Sequence, residues 1–241
     1  MNIITQSRLA VSVIEPSGDS IKRAFHLSSG VGTSDSPLRT VLILRHNDLA
    51  DESTFQEADE KIQKTADELA DALSQVIIET SNSSEKTLSN LIGVLEIGNM
   101  AAKADTYYSA IVALLAGKHF VASGIGNVSL CSYRKGKAER LISPSITQFG
   151  DSGSHINLMG AALGIGFSAN KVRSCALQLA PSEIVVLGAE MQVDCDSLLD
   201  VEDLQDCPSL SILLRRILNH LAICPPLLAV ISPESELRPT L

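Results

Sequence analysis

Aromatic residues are scarce in this chain: among 241 residues there is no Trp, and there are three Tyr and five Phe. A core must therefore be built from Leu, Ile, Val and Ala. Basic clusters are also few and short, Arg134–Lys137 and Arg215–Arg216 being the densest, and the formal net charge is −9. A surface that neutralises a phosphate backbone needs clustered Lys and Arg, so nucleic acid is excluded as a partner. No two of the five cysteines form a C-x-x-C pair, and their dispersal at Cys131, Cys175, Cys195, Cys207 and Cys224 reads as reduced thiols rather than a disulfide frame. No apolar run reaches the length of a membrane span. The opening Met1-Asn2-Ile3-Ile4-Thr5 lacks a basic end followed by a long apolar stretch, so no secretory leader is read there. These absences together imply a soluble, cytoplasmic chain with no membrane partner.

What remains is a globular composition, 45% hydrophobic and 20% charged, in a chain long enough to bury a sizeable core. Leu9–Ile14, Lys22–Leu27 and the fully apolar Val41–Leu44 read as strands, with a Ser- and Gly-rich loop over Ser28–Pro37. Phe55, Ala58, Ile62, Ala66, Leu69, Leu73 and Val76 then recur at three- and four-residue steps, which predicts a long amphipathic helix capped by Asp51 or Ser53. Leu88, Leu91, Ile92 and Leu95 begin a second helix, running to about Lys103, in which Gly93 and Gly98 either weaken the helix or allow a close neighbour. Tyr108–Leu115, His119–Ser123, Val128–Tyr133 and Ala138–Ile142 predict a meander of antiparallel strands, turning at Gly117-Lys118 and Arg134–Lys137. Thr147–Gly166 is Gly- and Ser-rich around a small apolar centre. Val172–Leu179 and Ile184–Leu187 are further strands, Leu198–Leu204 and Ser209–Ile223 further helices, and Leu227–Ile231 a last strand. Such an order is no regular alternation of strand and helix. It predicts an α+β layered architecture, with two sheets face to face and the two long helices covering one of them.

Several segments, in this order, resemble the metal-dependent protein phosphatases of the 2C type. Tyr107–His119 is similar to the family's strand pair after the second helix, and Ser123-Gly124-Ile125-Gly126-Asn127-Val128-Ser129 to its Gly-Asp or Gly-Asn turn. Met159–Gly164 resembles its Leu-Gly segment, Leu179–Leu187 its "L-x-P-x-D" strand, and Leu221–Ser232 its closing strand. The resemblance spans residues 8–232. It implies one 2C-type domain over 1–232, a four-layer α-β-β-α sandwich with two antiparallel sheets, and a flexible tail over 233–241.

The family's site holds two or three Mg²⁺ or Mn²⁺ ions on carboxylates, and this sequence departs from it at each ligand position. Arg45-His46-Asn47-Asp48 stands where the family has an Asp-Gly turn, with a cation at or beside the ligand. Gly188-Ala189-Glu190 replaces a Ser-Asp-Gly turn, with Glu190 one position late. Cys224-Pro225, or Pro225-Pro226 in a slipped register, replaces an Asp-Asn pair before the last strand, and Asn127 stands where many relatives have Asp, although some have Asn. A guanidinium a few ångströms from Mg²⁺ is repelled by several kcal/mol at intermediate dielectric. The implied reading is a degenerate site, at Arg45, His46, Asp48, Asn127, Ala189, Glu190 and Cys224, with no catalytic residue, no metal and no cofactor. The domain would then be a pseudophosphatase serving as a regulatory or protein-binding module. The alternative is a divergent Mg- or Mn-dependent serine/threonine phosphatase using Asp48, Glu190 and Asp194 as shifted ligands.

Other chemistry finds little support. The five histidines show no H-x-x-x-H spacing, no phosphate loop of the G-x-x-x-x-G-K-S/T type occurs, and there is no G-x-S-x-G elbow. Cys131, Cys175 and Cys224 lie in apolar runs and read as core fillers. Asp59, Glu60, Asp67, Glu68 and Asp71 read as the solvated face of the first helix. The run Asp194, Asp196, Asp200, Glu202, Asp203 and Asp206 is either a solvated loop and helix start or a binder of a cation or basic partner.

Overall fold

The computed structural model describes residues 2–6, 8–13, 21–28, 37–46, 55–76, 84–102, 107–144, 146–149, 156–189, 207, 209–220 and 227–233. The strands are β1 (Asn2–Gln6), β2 (Leu9–Val13), β3 (Ile21–Ser28), β4 (Leu38–His46), β5 (Tyr108–Ala116), β6 (His119–Ile125), β7 (Val128–Arg134), β8 (Lys137–Ile142), β9 (Ile146–Phe149), β10 (Ile156–Met159), β11 (Arg173–Gln178), β12 (Ile184–Ala189) and β13 (Leu227–Ile231). The helices are α1 (Phe55–Ser74), α2 (Ser84–Ala101) and α3 (Leu210–His220).

Two antiparallel sheets carry the fold. One has the order β1-β2-β13-β12-β7-β8, the other β11-β6-β5-β4-β3, and β9 and β10 form a separate two-stranded hairpin. Strand β4 shows why its residues are apolar in succession rather than alternately: both faces are covered. Val41 and Ile43 pack under α1 and α2, whereas Leu38 and Leu42 pack between the sheets. Leu187 and Ala229 of the facing sheet complete that middle layer. Beyond it, Ala10, Val186, Leu228 and Val230 turn outward against Leu213, Leu214 and Ile217 of α3. Three apolar layers separate four structural layers, α-β-β-α, as the family resemblance implies. Each fully buried Leu or Ile contributes roughly 1.5–3 kcal/mol of transfer free energy.

The helices follow their periodicity. On α1, Ile62, Ala66, Leu69 and Leu73 are buried while Glu60, Asp67, Glu68 and Asp71 are exposed, so the acidic face is a solvated one. On α2, Gly98 is the close-approach position: a Cβ there would stand 2.5 Å from Leu69 Cδ2, whereas one at Gly93 would meet nothing within 4 Å. Arg39 of β4 reaches the end of α1, donating from Nε to the Leu73 carbonyl at 3.2 Å and from Nη2 to that of Val76 at 3.3 Å. The Leu73 carbonyl also accepts the Val76 N–H at 3.1 Å, and a cation at helix-end carbonyls is favoured by both hydrogen bonding and the helix dipole. Burial lowers the Arg39 pKa from its usual value.

Several expectations change. Strands β5–β8 are not one meander: β6 pairs with β5, β7 pairs with β8 and β12, and β6 and β7 belong to different sheets. Within Thr147–Gly166, for which the sequence predicts no element, β9 and β10 pair from Ile146 to Met159. Strand β1, whose residues follow no clear alternation, joins the edge of the first sheet. Cys131 is disulfide-bonded, its partner outside the described residues, so the reading of five reduced thiols fails there; Cys175 and Cys207 are in no disulfide. The expected caps Asp51 and Ser53, the helix at Leu198–Leu204, the acidic run 194–206 and the tail from 234 lie outside the described residues. Among the described residues no helix is long and apolar enough to cross a membrane.

Candidate functional site

Strand registers bring separate chain positions to one end of the sandwich. In the helix-covered sheet, Arg45 at the end of β4 stands opposite Tyr108 at the start of β5, Leu44 stands opposite Ser109, and Ala110 opposite Ile125 at the end of β6. His46, one residue further along β4, pairs with Ile21 of β3. In the facing sheet, Ala189 at the end of β12 is flanked by Val128 at the start of β7 and Leu227 at the start of β13. Gly126-Asn127 joins these two groups, because it carries the chain from β6 in one sheet to β7 in the other.

That crossing is built from small residues. Gly126 has φ +86°, in the left-handed region, and a Cβ there would lie 2.6 Å from Ser109 Oγ and 2.9 Å from Ser109 Cα. A Cβ on Gly124 would lie 2.7 Å from Val128 Cγ2. The absence of both side chains lets the crossing sit directly on β5. There the backbone N–H of Asn127 donates to Ser109 Oγ at 2.9 Å. Asn127 Oδ1 is buried without a hydrogen-bond partner, and so is Ser129 Oγ, opposite Gly188 in the next strand. The Gly-rich stretch after β10 lies against this end too. Leu163 and Tyr108 exchange backbone hydrogen bonds at 3.0 Å, and the Gly164 N–H donates to Asn99 Oδ1 of α2 at 2.8 Å. Lys171 holds that stretch closed, its Nζ donating to the Gly160 and Gly166 carbonyls.

Of the positions singled out from the sequence, Arg45, His46, Asn127 and Ala189 are placed, and the strand registers bring all four to this end. Asp48, Glu190, Asp194 and Cys224 lie outside the described residues. Ala189 is fully buried, its methyl in the layer between the sheets, where it offers no oxygen to any ligand. Ser109 was not singled out. Its signal was nonetheless present: a hydroxyl in the otherwise apolar run Ser109–Ala116.

No protein-family model matches the chain, and no curated protein sequence matches it either. Solved structures do. The S. agalactiae serine/threonine phosphatase matches at TM-score 0.62 and 11% identity, over 93% of this chain and 99% of that one. RsbX in complex with magnesium matches at TM-score 0.55 and 12% identity, over 96% and 99%. The catalytic domain of the serine/threonine phosphatase PstP in complex with two manganese ions matches at TM-score 0.52 and 15% identity, over 88% and 97%.

The chain has the 2C-type phosphatase fold. At such identities the likeness is one of fold, and it bears out both the family resemblance and the two-sheet architecture read from the sequence. It also corrects one expectation, that of no cofactor. Two of these neighbours of 2C-type fold are complexes with magnesium and with two manganese ions.

The described residues do not by themselves fit such a centre. A pair of hard cations needs several oxygen ligands, mostly anionic. Here the described side chains at the crossing supply Asn127 Oδ1, Ser109 Oγ and Ser129 Oγ, all neutral, and among the described residues no three His, Cys, Asp or Glu stand together. The orphaned amide oxygen of Asn127 would accept a donor or a cation, but one neutral oxygen is no two-ion cradle.

Proposed function

We propose that this chain is a 2C-type phosphatase-like domain that serves as a protein-binding, regulatory module and does not turn over phosphoesters. The observation that carries this reading is Ala189: at the strand end where the family resemblance calls for a carboxylate, a buried methyl is packed into the core. Asn127 at the sheet crossing supports it, being an amide where many relatives carry Asp. In metal-assisted phosphoryl transfer the protein contributes positioning and charge, so neutral groups at two ligand positions remove what lowers the barrier. The reading concerns turnover and not occupancy. A divalent ion bound at this end is compatible with it.

The test is hydrolysis of a chromogenic phosphate ester and of a phosphopeptide with Mn²⁺. No turnover above the metal-only background is expected. Metal-dependent turnover abolished by Asp48→Ala would overturn the proposal.

A second reading, a divergent Mg- or Mn-dependent phosphatase using Asp48, Glu190 and Asp194, is favoured by the magnesium and manganese complexes among the structural neighbours. Under it, micromolar Mn²⁺ raises the melting temperature, through binding to the folded state alone, and turnover accompanies that rise. Stabilisation without turnover leaves the first reading standing.

A further inference from the structure

At the other end of the sandwich, the β7–β8 hairpin makes choices that oppose its own stability. Arg134 and Lys137 form the cross-strand pair that closes the turn. Like charges directly opposite in an antiparallel pair are destabilising. The two turn residues, Lys135 and Gly136, have φ +48° and +72°. This is the mirror-image turn that suits Asn-Gly or Asp-Gly, and a lysine in its first place carries backbone strain that asparagine would avoid.

All three cations are exposed. Exposed Lys118, in the β5–β6 turn, stands at the same end. Its carbonyl accepts from the Leu179 N–H at 2.8 Å, and the turn that follows Leu179 leads into β12, whose first residue Ile184 pairs with Tyr133. Two carboxylates flank this group, Glu139 on β8 and Glu183, whose Oε2 accepts from the Ala180 N–H.

We infer that the tip of this hairpin, Arg134, Lys135 and Lys137, is a docking point for a short acidic segment of a protein partner. Protection of a sheet edge needs charge, but it does not need like charges across the turn or a strained lysine. Violations of local preference at one exposed point are expected where a site is being served. The chain's net charge of −9 decides against an extended polyanion, which would meet that charge along its length. A short segment senses only what lies within a Debye length, about 10 Å at 0.1 M salt, where the hairpin is positive. Because the hairpin is remote from Asn127, this surface stands or falls independently of any phosphatase reading.

The test uses the full chain and a fluorescein-labelled oligoglutamate of about ten residues, by fluorescence polarisation. Binding is expected at about 50 mM salt and should weaken on raising salt to about 300 mM. The variant Arg134→Thr/Lys135→Asn/Lys137→Thr, chosen to suit the strand and turn, should bind at least about tenfold more weakly while its unfolding midpoint stays level or rises. Lys135→Asn alone should give a partial loss with the same midpoint behaviour. No binding at low salt, or affinity untouched by these substitutions, overturns the proposal. So does equally tight, hairpin-dependent binding of duplex DNA or phosphatidylserine vesicles, which would make the tip a general anion sink.

Discussion

The Asn127 N–H donates to Ser109 Oγ across the point where the chain leaves one sheet for the other. Gly126 holds the two residues together, since its φ of +86° and missing side chain bring the crossing within contact of the Ser109 backbone. The arrangement is cooperative: the glycine makes the approach possible, and the serine satisfies the donor that the approach buries.

Substitutions here should be coupled. Ser109→Ala leaves a donor unsatisfied and is expected to cost about 1–2 kcal/mol. Gly126→Ala forces an L side chain into the left-handed region against Ser109, at a cost of about 2–3 kcal/mol. In the double variant the Cβ–Oγ clash is gone, so its destabilisation should fall short of the sum by more than about 0.5 kcal/mol. Urea unfolding of the four proteins measures this. Strict additivity would show that the Ser109 hydroxyl does not govern the crossing.

Arg39 makes a second prediction. Arg39→Met keeps most of the alkyl stem but removes the donors to Leu73 and Val76, and should lower stability by about 1–2 kcal/mol. Hydrogen exchange should locate the change. Amides in the last turn of α1 are expected to lose protection first, while those of β12 and β13 change only with global stability.

Cys175 sets a pH dependence. Burial pushes its thiol pKa up to about 12, from the usual 9.0. The folded state therefore keeps a proton that the unfolded state releases, so the stabilising contribution is complete below the unfolded pKa and is lost as pH rises toward the folded one. Between pH 9 and 12 the wild type should lose stability more steeply than Cys175→Ala, by at most about 1.4 kcal/mol per pH unit. Parallel curves for the two proteins would exclude this thiol. Its alkylation in the native state should likewise be slow at pH 8, because little thiolate is present.

Thiol chemistry gives a fourth test. After denaturation without reductant, alkylation followed by peptide mass analysis should label Cys175 and Cys207 and leave Cys131 unlabelled until a reductant is added. Labelling of Cys131 before reduction would remove the disulfide.

Local pattern carried much of the architecture. The three- and four-residue recurrence from Phe55 to Val76 could bury one face only as a helix, and α1 follows it. The unbroken apolar run at Val41–Leu44 required cover on both sides, and helices lie on one side and a sheet on the other. Pairing was less legible. Val128–Tyr133 reads as a strand in any sheet, and only the left-handed turn at Gly126 and the contact with Ser109 send it to the opposite one.

The same division holds at the candidate site. The amino-acid order determined which chemical groups are available: Asn127 and Ala189, rather than carboxylates, are fixed by the chain whatever its fold. Only tertiary structure decided that Asn127 meets Ser109, eighteen residues earlier, and that the Ala189 methyl turns into the core. Periodicity reports the environment on either side of one segment, whereas register and sheet membership depend on contacts between residues far apart in the chain, and no local pattern encodes those.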